Sequence, residues 1–216
     1  MCDTRRTLPD FILMLVVTGL VVLAEARAGA EPVTSAPTTA PGESPKAAML
    51  AYNAAMRAGD ADGIVALHYA TTEAERRAAR AIAASEVEVG KLLAAARTKF
   101  GEAGAASLGR AIGDVSDADI EAADVQVKGN RAVLRFKHGG AAPLVRADGE
   151  WKASVADVIR AGSGDAQQTI DHFTRRASFA RGLAQDITAG KVKTAEEAAA
   201  RIERNERGVS DDDPSN

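Results

Sequence analysis

Histidine is the side chain best suited to metal binding and to acid–base chemistry near neutral pH. This chain of 216 residues has three histidines, His68, His138 and His172, in three separate regions of the sequence. A metal site needs converging ligands, and its motifs usually place two of them a few residues apart. No such pair occurs in the sequence. We therefore expect structural or exposed histidines and predict neither a metal site nor a cofactor.

Closely spaced carboxylates are the next candidates, because two of them can act as general acid and base. Asp60 and Asp62 flank the start of a short predicted helix, where helix capping explains them. Glu86 and Glu88 lie on a long predicted helix and are expected on its solvated side. A buried general base with a raised pKa is the alternative. No carboxylate can be assigned to it, so we predict no catalytic residue.

Signatures of nucleophiles and phosphate-binding loops are missing from the sequence. Ser85 and Ser107 have no glycine-rich elbow around them, and the segment 162–164 (Gly-Ser-Gly) lacks the lysine of a phosphate-binding loop. The basic residues Arg175-Arg176 and Arg181 could bind an anionic partner, or they could simply solvate a helix face. These patterns favour a protein that is not an enzyme.

Aromatic side chains offer the best candidates for a ligand pocket. Tyr52 lies on the apolar stripe of the first predicted helix, and Trp151 begins the last predicted strand on its apolar side. With Phe136, these residues could contact an apolar ligand, and Tyr52 and Trp151 add a polar tip. Plain core packing is the alternative interpretation, since a core needs its few aromatic residues.

The N-terminal segment 1–30 has the order of a secretory signal peptide. Arg5-Arg6 precede an apolar run, Phe11 to Ala24, and small residues including Ala28 and Ala30 follow. The run is shorter than the roughly 20 residues of a membrane-spanning helix, so we predict cleavage and a secreted or periplasmic protein. An uncleaved N-terminal anchor is the alternative. The arginine pair also resembles a twin-arginine signal, which would export a folded protein.

Charge and cysteine content narrow the range of partners. The formal net charge is −3, which argues against nucleic acid as a partner. The single cysteine, Cys2, precedes the apolar run and would be removed with the signal peptide. A membrane contact is expected only if that segment is not cleaved. The Pro/Thr-rich segment 31–44 predicts a disordered linker, and the acidic segment 208–216 predicts a disordered tail.

Local signals predict helices in the first part of the folded region. Ser44 and Pro45 start the first helix and Gly59 ends it. Asp60 caps a second helix over 61–69. A third, longer helix begins at a capping box and breaks at two glycines. Its boundary residues are Thr72, Glu75, Gly101 and Gly104.

Beyond Ile112 the apolar period changes from about 3.6 to 2, which predicts strands. Two-residue turns at 129–130 (Gly-Asn) and 148–149 (Asp-Gly) indicate hairpins, so neighbouring strands should be antiparallel. Segment 165–207 predicts two further helices. The predicted fold is therefore α+β, with N-terminal helices packed on a curved antiparallel sheet and a C-terminal helical extension.

The order of these segments resembles a known superfamily. Helix 48–58, the Gly59-Asp60 break, helix 61–69 and a meander that ends with segment 144–152 (LVRADGEWK) are similar to the nuclear transport factor 2-like superfamily. More narrowly, they resemble its exported bacterial, SnoaL-like members. The resemblance covers Ser44 to Arg160. It implies a cone-shaped domain over 45–160, with a pocket between sheet and helices and homodimerisation through the sheet.

These inferences lead to one expected function and two alternatives. The sequence predicts an exported, non-enzymatic protein whose cone-shaped domain binds a small ligand or a partner protein. One alternative, which the resemblance implies, is an enzyme of the cyclase or isomerase type with an acid–base carboxylate in the pocket. The other is a structural component of the cell envelope.

Overall fold

The structure is a computed structural model that describes residues 43–207. The predicted signal peptide, nearly all of the predicted linker and the predicted acidic tail lie outside the described residues. The described helices are α1 (Pro45–Ala58), α2 (Ala61–Ala66), α3 (Glu73–Ala111), α4 (Asp117–Glu121), α5 (Val155–Ala161), α6 (Ala166–Thr188) and α7 (Ala195–Glu206). The strands are β1 (His68–Tyr69), β2 (Asp124–Lys128), β3 (Arg131–Arg135), β4 (Ala141–Ala147) and β5 (Glu150–Ser154). Together they form a mixed α+β fold.

The first helix begins and ends where the sequence predicts. The Ser44 hydroxyl accepts a hydrogen bond from the Ala47 amide at 3.1 Å, and Pro45 occupies the first turn. Gly59 terminates α1 in the left-handed conformation, with φ of 70°. The Asp60 carboxylate then caps α2 by accepting from the Gly63 amide at 2.8 Å.

The second helix is shorter than predicted, because α2 ends at Ala66 rather than at residue 69. His68 and Tyr69 form β1 instead, in parallel register with Ala153 and Ser154 of β5. The Leu67 carbonyl supports this pairing by accepting from the Ala153 amide at 2.9 Å. A contact with a distant segment thus overrides the local helical preference.

Helix α3 is the longest element and has a kink. The capping box of Thr72 and Glu75 is present. Gly101 has φ of 75° and ψ of −178°, so the predicted break at this glycine is confirmed. Near the middle of α3, Gly90 lies so close to α1 that a Cβ atom there would be 2.6 Å from the Met56 carbonyl oxygen. This close approach of α1 explains why position 90 is a glycine.

The sheet is open and mixed, with strand order β1-β5-β4-β3-β2. Strands β2 to β5 are antiparallel neighbours, as predicted from their turns. The prediction of a purely antiparallel sheet is wrong, because the short β1 adds a parallel edge. Val155 begins α5 directly after β5, since the Ser154 hydroxyl accepts from the Asp157 amide and caps that helix.

Two apolar clusters account for most of the described core. The smaller cluster lies where α1 and α4 pack against the sheet, and it includes Ala48, Ile120, Leu134 and Trp151. The larger cluster joins helices from both ends of the described region. Its fully buried members include Ile64, Leu92, Leu108, Ile187 and Ile202. Helices α6 and α7 therefore complete the main core rather than lie beside it.

Candidate functional site

Buried charge is concentrated where α6 packs against α3. The Arg176 guanidinium lies 2.7 Å from the Glu86 carboxylate, and these two side chains are only 20% and 16% exposed. Arg176 also donates to the Ser85 hydroxyl at 3.3 Å and to the Ile112 carbonyl at 3.4 Å. A guanidinium with several acceptors is the form of buried cation that proteins tolerate best. The ion pair fixes α6 against the middle and the end of α3.

Asp114 follows the end of α3 and is partly buried near this ion pair. Burial, and then the neighbouring Glu86 charge, raise the pKa of Asp114 from 3.8 to about 6. Arg176 and a hydrogen bond from the Val115 amide oppose this rise in pKa. A carboxyl group with a pKa near 6 exchanges its proton close to neutral pH, as a general base does.

Two aromatic rings also lie within the electrostatic influence of Glu86. The rings of Tyr52 and His68 meet edge to face, with centroids 5.4 Å apart. The Nδ1 atom of His68 donates to the Ile64 carbonyl at 2.9 Å, which fixes the tautomer, and burial lowers the pKa of His68. Burial, and then the Glu86 charge, raise the pKa of the Tyr52 hydroxyl well above its ordinary value. Both rings are therefore neutral at physiological pH.

We call this group the charge cluster; its members are Tyr52, His68, Glu86, Asp114 and Arg176. Arg176 and Glu86 bond each other within it, His68 bonds the Ile64 carbonyl, and no fully buried polar side-chain atom in residues 43–207 lacks a hydrogen-bond partner. Burial by itself would lower the pKa of Arg176, but the charge and hydrogen bond of Glu86, together with Tyr52 and Asp114, outweigh this effect and raise it. The cluster can hold charge and one exchangeable proton in the interior, and it positions α1, α3 and α6.

The prediction of a solvated Glu86 and Glu88 is wrong, since α6 covers that side of α3. Glu88 is 8% exposed and pairs with Lys91 at 2.9 Å and with Arg181 at 3.3 Å. From the sequence, the arginines of α6 could bind an anionic partner or solvate a helix face. For Arg176 and Arg181 those anions are glutamates of the same chain, about 90 positions earlier in the case of Arg176 and Glu86.

The remaining histidines lie apart from the charge cluster. His138 is 80% exposed and lies 3.5 Å from Asp119. The ring of His172 contacts Phe173 edge to face, with centroids 5.1 Å apart. Within the described part of the chain, no group of three or more potential metal ligands converges.

The three predicted pocket aromatics are divided between the two apolar clusters. Trp151 is 5% exposed in the smaller cluster, and Phe136 packs against that cluster while partly exposed. Tyr52 packs against the larger one. A shallow groove of about 610 Å³ runs between α3 and α6, and its lining includes Glu88, Lys91 and Arg181 rather than these aromatics.

Strand β2 is the least covered element of the sheet. Val125 and Val127 are 36% and 56% exposed. In the β2–β3 register they lie opposite Leu134 and Ala132, which are buried on the helix-covered face. The two valines therefore extend that apolar face beyond its helices. Since β2 is an edge strand, no other strand of residues 43–207 pairs with its outer side.

Comparison with known proteins yields no relative, since no family model, no curated protein and no solved structure matches the chain. The resemblance to the nuclear transport factor 2-like superfamily therefore rests on sequence pattern alone. Across residues 43–207, none of the helices combines the length and the apolar character needed to cross a bilayer.

Proposed function

We propose that this chain is an exported, non-enzymatic protein that binds a partner protein through the open edge of its sheet. One observation carries the proposal: β2 combines two exposed valines with a strand edge to which no other strand of residues 43–207 is paired. Edge strands with free backbone groups bind extended segments by adding a strand, and apolar side chains beside the edge add affinity. We call this surface, residues 124–128, the β2 edge.

The opposite edge of the sheet is less suited to binding. Strand β1 has only two residues, which pair with Ala153 and Ser154 of β5. Proteins commonly protect sheet edges by keeping edge strands short. Strand β2 has five residues and lacks this protection, so binding by strand addition is proposed for β2.

The proposal keeps the cone-shaped, nuclear transport factor 2-like domain with a curved sheet as its framework. The order of elements supports this framework: two short helices, a long third helix, and antiparallel hairpins that end in the Asp148-Gly149 turn. Export is supported by the charged, apolar and small residues of segment 1–30. A small ligand near Tyr52, Phe136 or Trp151 stays a prediction from the sequence.

Site-specific photo-cross-linking in intact cells tests the proposal. A photoreactive residue at Val127 should give protein adducts, because this side chain is exposed at the β2 edge. The same residue at Ala106, on the exposed side of α3, is the matched control. Equal adducts at both positions, or none at Val127, would contradict binding at the β2 edge.

A second function, an enzyme of the cyclase or isomerase type, has one observation in its favour. Asp114 has a pKa raised to about 6 and shares the charge cluster with Tyr52. An enzyme would have to admit its substrate to this carboxyl. A fragment screen by NMR tests this: shifts that cluster around Asp114 and Tyr52 would support the enzyme, and fragments that bind elsewhere or not at all would contradict it.

A further inference from the structure

We propose that the β2 edge binds a second copy of this chain, with the two β2 strands antiparallel about a two-fold axis at Gln126. This inference rests on the proposed function, since it names the partner of the same edge. The register places Asp124 opposite Lys128 of the second copy and Val125 opposite Val127 of the second copy. Three properties of β2 support it: backbone direction, charge order and apolar area.

Backbone direction follows from the turn that joins β2 and β3. The two-residue turn at 129–130 makes Lys128 and Arg131 a directly opposed pair, and such a turn is closed by a hydrogen bond between its flanking residues. The N–H and C=O groups of successive residues point to alternate sides of a strand. Val125 and Val127 therefore direct their N–H and C=O groups away from β3. In the proposed register these groups meet those of the second copy, which gives four hydrogen bonds.

The charges of β2 are self-complementary in the same register. The strand reads Asp-Val-Gln-Val-Lys from 124 to 128, so that its ends carry opposite charges. An antiparallel copy places each aspartate opposite a lysine of the other copy, which gives two such pairs on the face away from the valines. Within the chain, Lys128 lies opposite another cation, Arg131, which is itself paired with Asp157 at 3.0 Å. The aspartate of the second copy would give Lys128 a counter-charge of its own.

The exposed valines supply the apolar part of the contact. Val125 and Val127 extend the buried face formed by Leu134 and Ala132. Opposed residues of antiparallel strands share a face, so the four valines of two chains would form one apolar strip. Each valine would exchange contact with water for contact with its counterpart.

The size of this contact predicts a weak dimer. Five residues per chain bury less than the roughly 1,200–2,000 Å² of a standard stable interface. We therefore expect monomer and dimer to exchange, with the dimer favoured at high concentration or when the protein is confined to a small compartment.

Sedimentation velocity of the purified, untruncated protein over a concentration series is the first test. The wild-type mass should rise from monomer toward dimer with concentration. Val127→Lys places two cations in the apolar strip and should weaken association about tenfold or more. Ala106→Lys adds the same charge on exposed α3 and should leave association unchanged.

Charge exchange across the axis is the second, more specific test. Asp124→Lys makes both proposed charge pairs of a homodimer repulsive, and so does Lys128→Asp. Each variant alone should therefore remain monomeric at concentrations where the wild type dimerises. A mixture of the two has only attractive pairs and should recover the dimer. A folding defect in either variant would prevent this recovery, and circular dichroism of each variant separates the two causes.

Several outcomes would overturn the inference. A wild-type protein that stays monomeric throughout the series has no self-pairing edge. If Val127→Lys leaves the dimer intact, the dimer uses another surface. If the mixture of folded Asp124→Lys and Lys128→Asp proteins does not recover the dimer, the proposed register is wrong. The two proposals can fail separately: adducts with a different protein at Val127, found while the wild type stays monomeric, would overturn this inference and leave the proposed function standing.

Discussion

Asp114 is a partly buried side chain that makes the stability of the protein depend on pH. Its carboxyl faces Glu86 of α3, Arg176 of α6 and Arg57 of α1, and burial raises its pKa from 3.8 to about 6. The native state therefore binds more protons than the unfolded state between about pH 4 and pH 6. Stability contributed by this group is present below pH 4 and is lost as the pH rises through that window.

Asp114→Asn should remove this pH dependence. The asparagine keeps an acceptor for the Val115 amide but carries no charge, so the variant should be more stable than wild type above pH 6. The pKa difference between the native and unfolded states puts the gain in the free energy of unfolding at about 2–3 kcal/mol, with little difference near pH 4. Denaturant unfolding at several pH values measures it. Asp171→Asn, at an exposed position of α6, is the control, and an equal gain there would contradict the argument.

Trp151 should contribute far more to stability than its exposed neighbours on the same sheet face. Trp151→Ala removes a side chain that is 5% exposed, and such truncations cost about 3–5 kcal/mol. Val127→Ala, at a 56% exposed position, should cost well under 1 kcal/mol. Chemical denaturation compares the two variants, and a loss below about 1 kcal/mol for Trp151→Ala would show that the indole is not part of the core.

At the scale of elements, local sequence signals predict the helix caps and turns well. Helix caps such as Ser44 and turns such as Asp148-Gly149 depend on residues within three or four positions, so the sequence specifies them directly. The two residues of β1 were missed because their partner, β5, is far away in the sequence. The charge cluster was missed for the same reason: the depth of Glu86 depends on Arg176, in a helix formed much later in the chain.

The contact between α1 and α3 gives a prediction about two glycines. Gly90→Ala should destabilise the protein by about 1–3 kcal/mol, because the new methyl group would lie 2.6 Å from a backbone oxygen of α1. Gly182→Ala, on the exposed side of α6, has nothing within 4 Å. It should stabilise the protein by about 0.5–1 kcal/mol. Thermal unfolding of both variants tests the contrast, and the same sign for both would contradict the close helix approach.

At the scale of the whole molecule, helices α6 and α7 determine whether the main core can form. Residues of the larger apolar cluster come from both ends of the described region. The C-terminal members are Ala180, Leu183, Ile187, Val192, Ala195, Ala198 and Ile202. The sequence predicts 165–207 as an extension of the fold, whereas its apolar stripe covers α3.

Removal of residues 165–216 should therefore abolish cooperative unfolding. The truncated chain would expose the α6-facing side of α3, and an apolar surface of that extent is not compatible with a stable fold. Removal of residues 208–216 alone is the control and should leave the melting temperature unchanged, since the described core ends before them. A sharp melting transition in the longer truncation, followed by circular dichroism, would show that residues 45–160 fold alone.

The position of Ile202 in the larger cluster has a consequence for biosynthesis. Synthesis proceeds from the N-terminus, so the ribosome must release the chain through Ile202 before this side chain can join Leu92 and Leu108 in the cluster. Until then the nascent polypeptide cannot close its largest hydrophobic region. Under the proposed export, this delay would keep the polypeptide in the unfolded form that a translocation channel can thread.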